Sequence, residues 1–420
     1  MSRSVQTPSK AFAFPNEWLA VRLGSIGKTY GGLTGKSGED FNTGPASYVT
    51  FMQVMGNSRL REPAKGTVNI KPGERQNHVQ KDDLLFNGSS ETPEEVALAA
   101  AVDFHPDSDT FLNSFCFGFR LLPDAPADSL YLAYFFRSSV GRNLVSSLAQ
   151  GATRYNISKT QLLNQAIHLP SKAEQIAIRE KLTDAEELIK SLERLISKKQ
   201  SIKQGMMQEL LTGNTRLSGF TSKWESKTIG QLCVSIRGGG TPSKAIADYW
   251  GGQIPWATVK DLSNFNPKGT LDHISTRGVA ESAARVVPAG ELIVSVRMLI
   301  ARAVQFSVDV AINQDLKVLN LKQEVDPTFL RYWFNLNEES FARAAGGSTV
   351  SGISTTELAS KIVDLPPIEE QAGIAHVLQD ADEELNALMR RLQSARNVKD
   401  GMMQELLSGR TRLSVPEVSS

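Results

Sequence analysis

The chain has 420 residues, 40% of them hydrophobic and 22% charged, with a formal net charge of +1 at pH 7. This is an ordinary globular composition, enough for two to three domains, and it excludes a polybasic tail or patch as the basis of any nucleic-acid binding. Positive charge must be focused by folding. No apolar run is long enough to cross a bilayer and the N-terminal stretch lacks a signal-peptide core, so a cytoplasmic location with no membrane partner is expected.

In chain order, the first globular segment opens with Phe14-Pro-Asn-Glu-Trp18 ahead of Leu23-Gly24. A Gly-rich loop follows at Tyr30-Gly-Gly-Leu-Thr34-Gly-Lys36, and Tyr48-Val49-Thr50 reads as a strand and turn. Ser171-Lys-Ala-Glu174 has the form of a capping box, Ser then Glu three residues on, and starts a helix. Ile178, Ala185, Leu192, Lys199 and Met206 then recur every seven residues, as do Leu182, Ile189, Ile196, Lys203 and Leu210, until Gly213 is placed as a left-handed stop. The second globular segment opens in the same way, Phe220-Thr-Ser-Lys-Trp224 ahead of Ile229-Gly230, with its own loop at Arg237-Gly-Gly-Gly-Thr241-Pro-Ser243-Lys244. Trp256–Leu262 matches the earlier strand and turn, and Leu292–Val296 reads as a buried strand. Pro366 and Pro367 lead into a second helix with rows Ile374, Ala381, Leu388, Ala395, Met402 and Leu378, Leu385, Leu392, Lys399, Leu406, closed by Gly409. Each helix would run about 40 residues, on the order of 60 Å at 1.5 Å per residue.

A seven-residue apolar repeat of this length argues for a coiled-coil seam built from Ile178, Leu182, Ala185, Ile189, Leu192 and Ile196 on one helix and Ile374, Leu378, Ala381, Leu385, Leu388 and Leu392 on the other. The alternative is two amphipathic helices, each lying on its own domain. Dense outward charge at Asp380, Asp382, Glu383, Glu384, Arg390 and Arg391 favours the narrow seam.

The helices are copies. Gly205–Leu211 repeats as Gly401–Leu407, 196 residues on. At the same spacing Ile157-Ser158 repeats as Ile353-Ser354, Leu169-Pro170 as Leu365-Pro366, Glu174-Gln175 as Glu370-Gln371 and Thr215–Ser218 as Thr411–Ser414. An ungapped register over about sixty residues is an internal duplication. The expected fold class is therefore α+β, with two mixed α/β domains joined by two long antiparallel helices in a coiled coil, related by a pseudo-two-fold axis. The expected boundaries are a first domain over 1–170, helices over 171–213 and 367–410 flanking a second domain over 214–366, and a tail from 411 to 420. Shared helices carrying two diverged globular segments suit a reader of two different sequences.

Catalytic apparatus is not legible. Asp364-Leu-Pro-Pro-Ile368 has the wrong order for a base-holding methyltransferase loop, and the triple glycine at 238–240 is not a dinucleotide or adenosyl fingerprint. His78, His105, His168, His273 and His376 are scattered without metal-ligand spacing, so no metal is expected, and Cys116 and Cys233 read as reduced, buried side chains. Asp107 and Asp109 lack the Glu-x-Lys that would make a nuclease centre.

Two divergent segments, two matching helices and Leu-Pro-x-x-x-Glu-Gln ahead of each helix resemble the specificity subunit of type I restriction–modification systems, over essentially the whole chain. The second half carries the pattern in Gly238–Ser243, Ile254-Pro255-Trp256, Asn313-Gln314, Gly347–Val350 and Ile353-Ser354. The first half departs from it, with Ala46-Ser47-Tyr48 and Asn113-Ser114 at the corresponding places. The resemblance implies a non-catalytic subunit whose domains each read one part of a split, asymmetric double-stranded DNA site while the helices set the unread spacer. It also implies two methyltransferase subunits carrying S-adenosylmethionine, motor-endonuclease subunits using ATP with Mg, and no cofactor on this chain. A methylation-only system, a coiled-coil adaptor without a DNA role and a fused methyltransferase remain alternatives.

Candidate DNA contacts lie on the loops. In the second half they are Thr241, Ser243 and Lys260 as hydroxyl and cationic donors, Arg297 for guanine and Gln314 for adenine, and Ser348 with Thr349 for the backbone. The first-half counterparts by position are Thr34, Lys36, Ser89 and Asn113, with Thr153 and Arg154 for the backbone. Trp256 reads as a packing residue.

Overall fold

The computed structural model describes residues 14–344 and 352–414. The chain divides into two compact units, Met1–Glu193 with Arg391–Ser420, and Arg194–Arg390.

In the first unit, Leu19–Arg22 pairs antiparallel with Ala166–Leu169. A five-stranded sheet runs in the order Gly27–Gly31, Cys116–Leu121, Leu84–Asn87, Ala99–Val102, Arg59–Leu60, antiparallel except for the last pair. Leu84–Asn87 and Ala99–Val102 are buried along their whole length, as strands covered on both faces must be. Helix Ser129–Arg137 packs on this sheet and buries Tyr131, Tyr134, Phe135 and Phe136. A smaller sheet holds Phe41–Val49 between Gly66–Val68, antiparallel, and Thr110–Leu112, parallel. Thr50 ends that strand and caps Phe51–Gly56 in a capping box with Gln53.

The second unit repeats the plan with fewer strands. Glu225–Thr228 pairs with Ile362–Leu365, and a four-stranded antiparallel sheet runs Cys233–Gly238, Leu316–Leu321, Leu292–Ser295, Ala303–Val304. Trp250–Ala257 lies between Asp272–Ile274, antiparallel, and Val310–Ile312, parallel. Thr258 then caps Val259–Ser263 with Asp261, as Thr50 does with Gln53. Helix Pro327–Ala344 buries Phe329, Leu330, Tyr332 and Phe334 against the four-stranded sheet. Cys116 and Cys233 are both buried and unpaired.

The long helices are Lys172–Leu211, 40 residues, and Ile368–Leu406, 39 residues. Gly213 at φ 72° and Gly409 at φ 74° follow them in the left-handed region that L side chains avoid. The pairing is antiparallel within each unit. In the first, Lys399 reaches Glu186 at 2.6 Å and Arg396 reaches Glu193 at 2.7 Å; in the second, Lys199 reaches Glu384 at 2.7 Å and Lys203 pairs with Asp382. Ile178, Leu182, Leu192, Ile196, Ile374, Leu378 and Leu385 are buried, and Ala185, Ile189, Ala381, Leu388 and Leu392 half-buried. The beginning of one helix and the end of the other enter each unit's core, Ile178, Leu182, Leu406 and Leu407 in the first and Met207, Leu210, Ile374 and Leu378 in the second.

The repeated Glu-Gln pair anchors these helix starts. Gln175 accepts from the Asp128 amide at 2.8 Å and donates to the Pro126 and Pro170 carbonyls at 2.8 and 2.9 Å. Gln371 does the same with Asp326, Glu324 and Pro366. The expected capping box is only half formed: Ser171 Oγ accepts from the Glu174 amide at 3.3 Å, while the Glu174 carboxylate turns to Arg412 at 2.6 and 2.7 Å. A two-bond guanidinium satisfies a buried carboxylate better than one exposed amide does. Arg216 holds Glu370 in the same way at 2.6 Å on each oxygen, with Trp224 Nε1 at 3.1 Å from the second. Arg412 also pairs with Glu17.

Candidate nucleic-acid interface

In the second unit the glycines let a loop lie flat on a strand. A Cβ on Gly239 would stand 1.9 Å from the Ile312 carbonyl oxygen, and one on Gly240 would stand 2.5 Å from Ala283 Cβ. Only glycine fits such an approach. The Gly240 amide donates to the Ile312 carbonyl at 3.1 Å, so Thr241 emerges beside the turn that leaves this strand. That turn is made by Asn313, whose Oδ1 accepts from the Asp315 amide at 3.1 Å and leaves Gln314 exposed at its tip.

Thr241 Oγ1 donates to Gln314 Oε1 at 2.7 Å, which orients the carboxamide and leaves its Nε2 donors 3.5 Å from Asp315 Oδ2. An amide so held keeps one acceptor lone pair and its donors, the set that matches an adenine edge. Asp315 also accepts from Asn313 Nδ2 at 3.0 Å and faces Arg297 Nη1 at 3.8 Å, while Arg297 stays exposed with donors to spare. Loop and turn border a cleft of about 640 Å³ lined by Thr241, Lys244, Trp250, Trp256, Lys260 and Asn313 among others. Trp256 is buried and donates to the Gly240 carbonyl at 3.2 Å, so it holds the loop in place. Trp250 meets it edge-on at 5.0 Å and donates to the Ser243 carbonyl at 3.2 Å, leaving the Ser243 side chain exposed. Thr241 and Lys260 therefore line one cleft, with Gln314 tied to it through Thr241 and Arg297 beside its lining residue Asp315. Ser348 and Thr349 lie outside the described residues.

The first unit's loop is closed down. Thr34 receives Gln76 on both sides, its amide donating to Oε1 at 3.1 Å and its carbonyl accepting from Nε2 at 2.8 Å. Lys36 is spent on the Asn69 carbonyl and Glu74 at 2.6 Å each, with 2% of its side chain exposed. Hydrogen bonds from Lys36 and then Gln76 hold the Glu74 carboxyl down to about 2. Asn113 does not stand where Gln314 does: its Oδ1 accepts from the Phe115 amide at 2.9 Å, which is the turn-forming role of Asn313, and Ser114 takes the exposed tip. Ser89 is buried and borders a separate cavity of about 370 Å³ with Phe51, Ser90, Phe115 and Arg154. The Arg154 guanidinium lies 5.8 Å over the exposed Phe115 ring, and Thr153 is exposed beside it. Thr34 and Lys36 thus belong to one corner of this unit, Ser89 and Arg154 to another.

Sequence reasoning missed Asp315, which ties Gln314 to Arg297, and Phe115, its positional counterpart. The available signal was Asn at 113 and 313, each two residues before the counterpart and three before a strand-facing apolar residue. Among the described residues no cluster of His, Cys, Asp and Glu is arranged to hold a metal, and no helix is long and apolar enough to cross a membrane.

The family profile described as type I restriction modification DNA specificity domain matches this chain twice, over residues 15–204 and 221–395. Among curated proteins, the putative type I restriction enzyme MjaX specificity subunit of Methanocaldococcus jannaschii is 24% identical, with 95% of each chain covered. The EcoR124I/EcoR124II specificity subunit of Escherichia coli is 29% identical over 39% of this chain and 42% of its own. Among solved structures, the S subunit from M. genitalium superposes with a TM-score of 0.58 at 14% identity, covering 95% of this chain and 97% of that one. A chain from a study of complex assembly and conformational transition in the type I system gives 0.60 at 18% identity, covering 96% and 100%. With its recognition domain present twice on paired long helices, the chain belongs to the type I restriction–modification DNA specificity family, whose members are non-catalytic.

Proposed function

We propose that the chain reads a bipartite, asymmetric DNA site, one half through each recognition domain. The domains are assigned to 1–170 and 214–366, the spacer helices to 171–213 and 367–410, and a tail to 411–420. The paired helices fix the length of the unread spacer and dock two methyltransferase subunits, joined by motor-endonuclease subunits in the restricting complex. S-adenosylmethionine, and ATP with Mg, belong to those partners, which act on adenine in each half-site in the cytoplasm. The observation that carries this reading is the contrast between the two units. The second unit presents Thr241 on an open cleft with Gln314 and Arg297 tied to its rim, whereas the first has its Thr34–Lys36 loop closed down and shows Ser114, Phe115 and Arg154 at a separate corner.

Within the second unit Gln314 pairs with adenine, Arg297 with guanine or phosphate, and Lys260 with phosphate. In the first, Thr153 and Arg154 grip the backbone, while Lys36 and Asn113 act through the folds they hold. Modification mapping of host DNA identifies the site, and band-shift assays with the methyltransferase partner then measure binding. Gln314→Ala should weaken binding about tenfold, the cost of a lost bidentate pair, with selectivity relaxed in one half-site only. An equal effect in both half-sites rejects the assignment.

A further inference from the structure

We propose that two duplicated side-chain nodes, Tyr134–Glu186–Lys399 and Tyr332–Asp382–Lys203, are positioning devices that fix the angle of each DNA-reading domain on the paired helices. The functional part of this inference rests on the DNA-reading role above.

Lys203 and Lys399 occupy the seam row otherwise filled by Leu182, Ile189, Ile196 and Leu210 on one helix and by Leu378, Leu385, Leu392 and Leu406 on the other. A lysine in an apolar seam costs stability relative to leucine, and the best-attested return is a specified geometry. In the first unit, Lys399 Nζ donates to Glu186 Oε1 at 2.6 Å across the helix pair. The same carboxylate accepts from the hydroxyl of Tyr134, a fully buried residue of the reading domain, at 3.0 Å, and from Ser58 Oγ at 2.7 Å. Ser58 directly precedes strand Arg59–Leu60, and Arg61, directly after it, pairs with Glu187. One carboxylate therefore bonds its own helix's partner and the domain that packs on both.

The second unit builds the node again. Tyr332 donates to Asp382 Oδ2 at 2.6 Å, Lys203 pairs with Oδ1, and Lys203 Nζ lies 5.6 Å from the Tyr332 ring centroid. Arg331 covers that ring at 4.3 Å. Carboxylate and lysine keep the 196-residue repeat, whereas the tyrosines are 198 apart, in helix starts that also share Asp128 with Asp326, Leu132 with Leu330 and Phe136 with Phe334 at that spacing. Helix pairing alone would need only the lysine and the carboxylate. The phenol adds a bond from each reading domain, so rotation of the domain about the helix pair breaks a charge-assisted hydrogen bond in a partly buried site.

The test uses the full chain carrying nitroxides at Ser108→Cys and Ser394→Cys, both exposed positions of the first unit. Pulsed electron resonance should give a narrow distance distribution, broadened at least about twofold by Tyr134→Phe with Lys399→Met and kept narrow by Lys399→Arg, which retains the charge. An unchanged width in the double variant overturns the proposal whether or not DNA is bound. On duplexes whose spacer is native, one base pair shorter or one longer, the same double variant should lose about tenfold of its discrimination, the worth of one charge-assisted bond. Lower melting temperature with intact discrimination marks a merely structural role and also overturns it. Absence of sequence-dependent binding by the unaltered chain rejects the DNA-reading function instead, and the nitroxide widths still decide the nodes.

Discussion

Single side chains divide into those whose surroundings lie close in the chain and those whose partners come from afar. Trp256 was legible as a packing residue because it sits in a strand between apolar neighbours, and it holds the Gly240 carbonyl. Lys36 was not legible: the carboxylate that consumes it, Glu74, is 38 residues away in the chain. That ion pair has a pH signature. The Glu74 pKa in the folded chain, about 2, lies below the ordinary glutamate value of 4.5, so its contribution is complete above about 4.5 and fades as pH falls toward 2. Thermal melts of the parent and Glu74→Gln should differ most near neutrality and converge at the acid end. A difference that grows on acidification contradicts the assignment. Asn113 shows the opposite case, its hydrogen-bond partner lying only two residues on. Its hydrogen bond makes the turn, and the exposed tip belongs to Ser114.

At the level of elements, the long helices were readable nearly to their last residues because a seven-residue period accumulates signal over many turns. The strands were less so. Leu292–Ser295 was found from its β-branched run, but Leu84–Asn87 and Ala99–Val102 are buried on both faces and show no alternation to read. The helices make two stability predictions. Leu378→Ala, at a fully buried seam position, should cost about 3 kcal/mol by the usual scale for core truncations, whereas Leu188→Ala, 41% exposed, should be nearly neutral in urea unfolding. Gln371→Ala strips three hydrogen bonds made by a fully buried side chain at the start of the second helix and should also cost about 3 kcal/mol. Hydrogen exchange should place the loosened amides around Asp326 and Pro366, and uniform protection loss across both units would contradict that local role.

For the molecule as a whole, the duplication was visible from the repeated helices, while the boundary between the two compact units runs through the middle of both of them. The reason is physical: each compact core is completed by the beginning of one helix and the end of the other, so neither helix belongs to a single globular body. Sequence boundaries placed at helix ends follow the chain; the cores follow burial. The first unit contains both residue 17 and residue 412, joined by the Arg412 guanidinium, which bonds Glu17 and Glu174 just as Arg216 bonds Glu370 in the second. Within this unit Arg412 clasps the earliest described part of the chain to the latest. Joining residue 414 to residue 14 through a flexible linker and opening the chain instead at Gly219, where an added Cβ would meet no atom within 4 Å, should yield a protein with the same cores and a melting temperature within a few degrees of the parent. Scission inside either long helix, by contrast, should loosen both cores, since each helix contributes to the two of them.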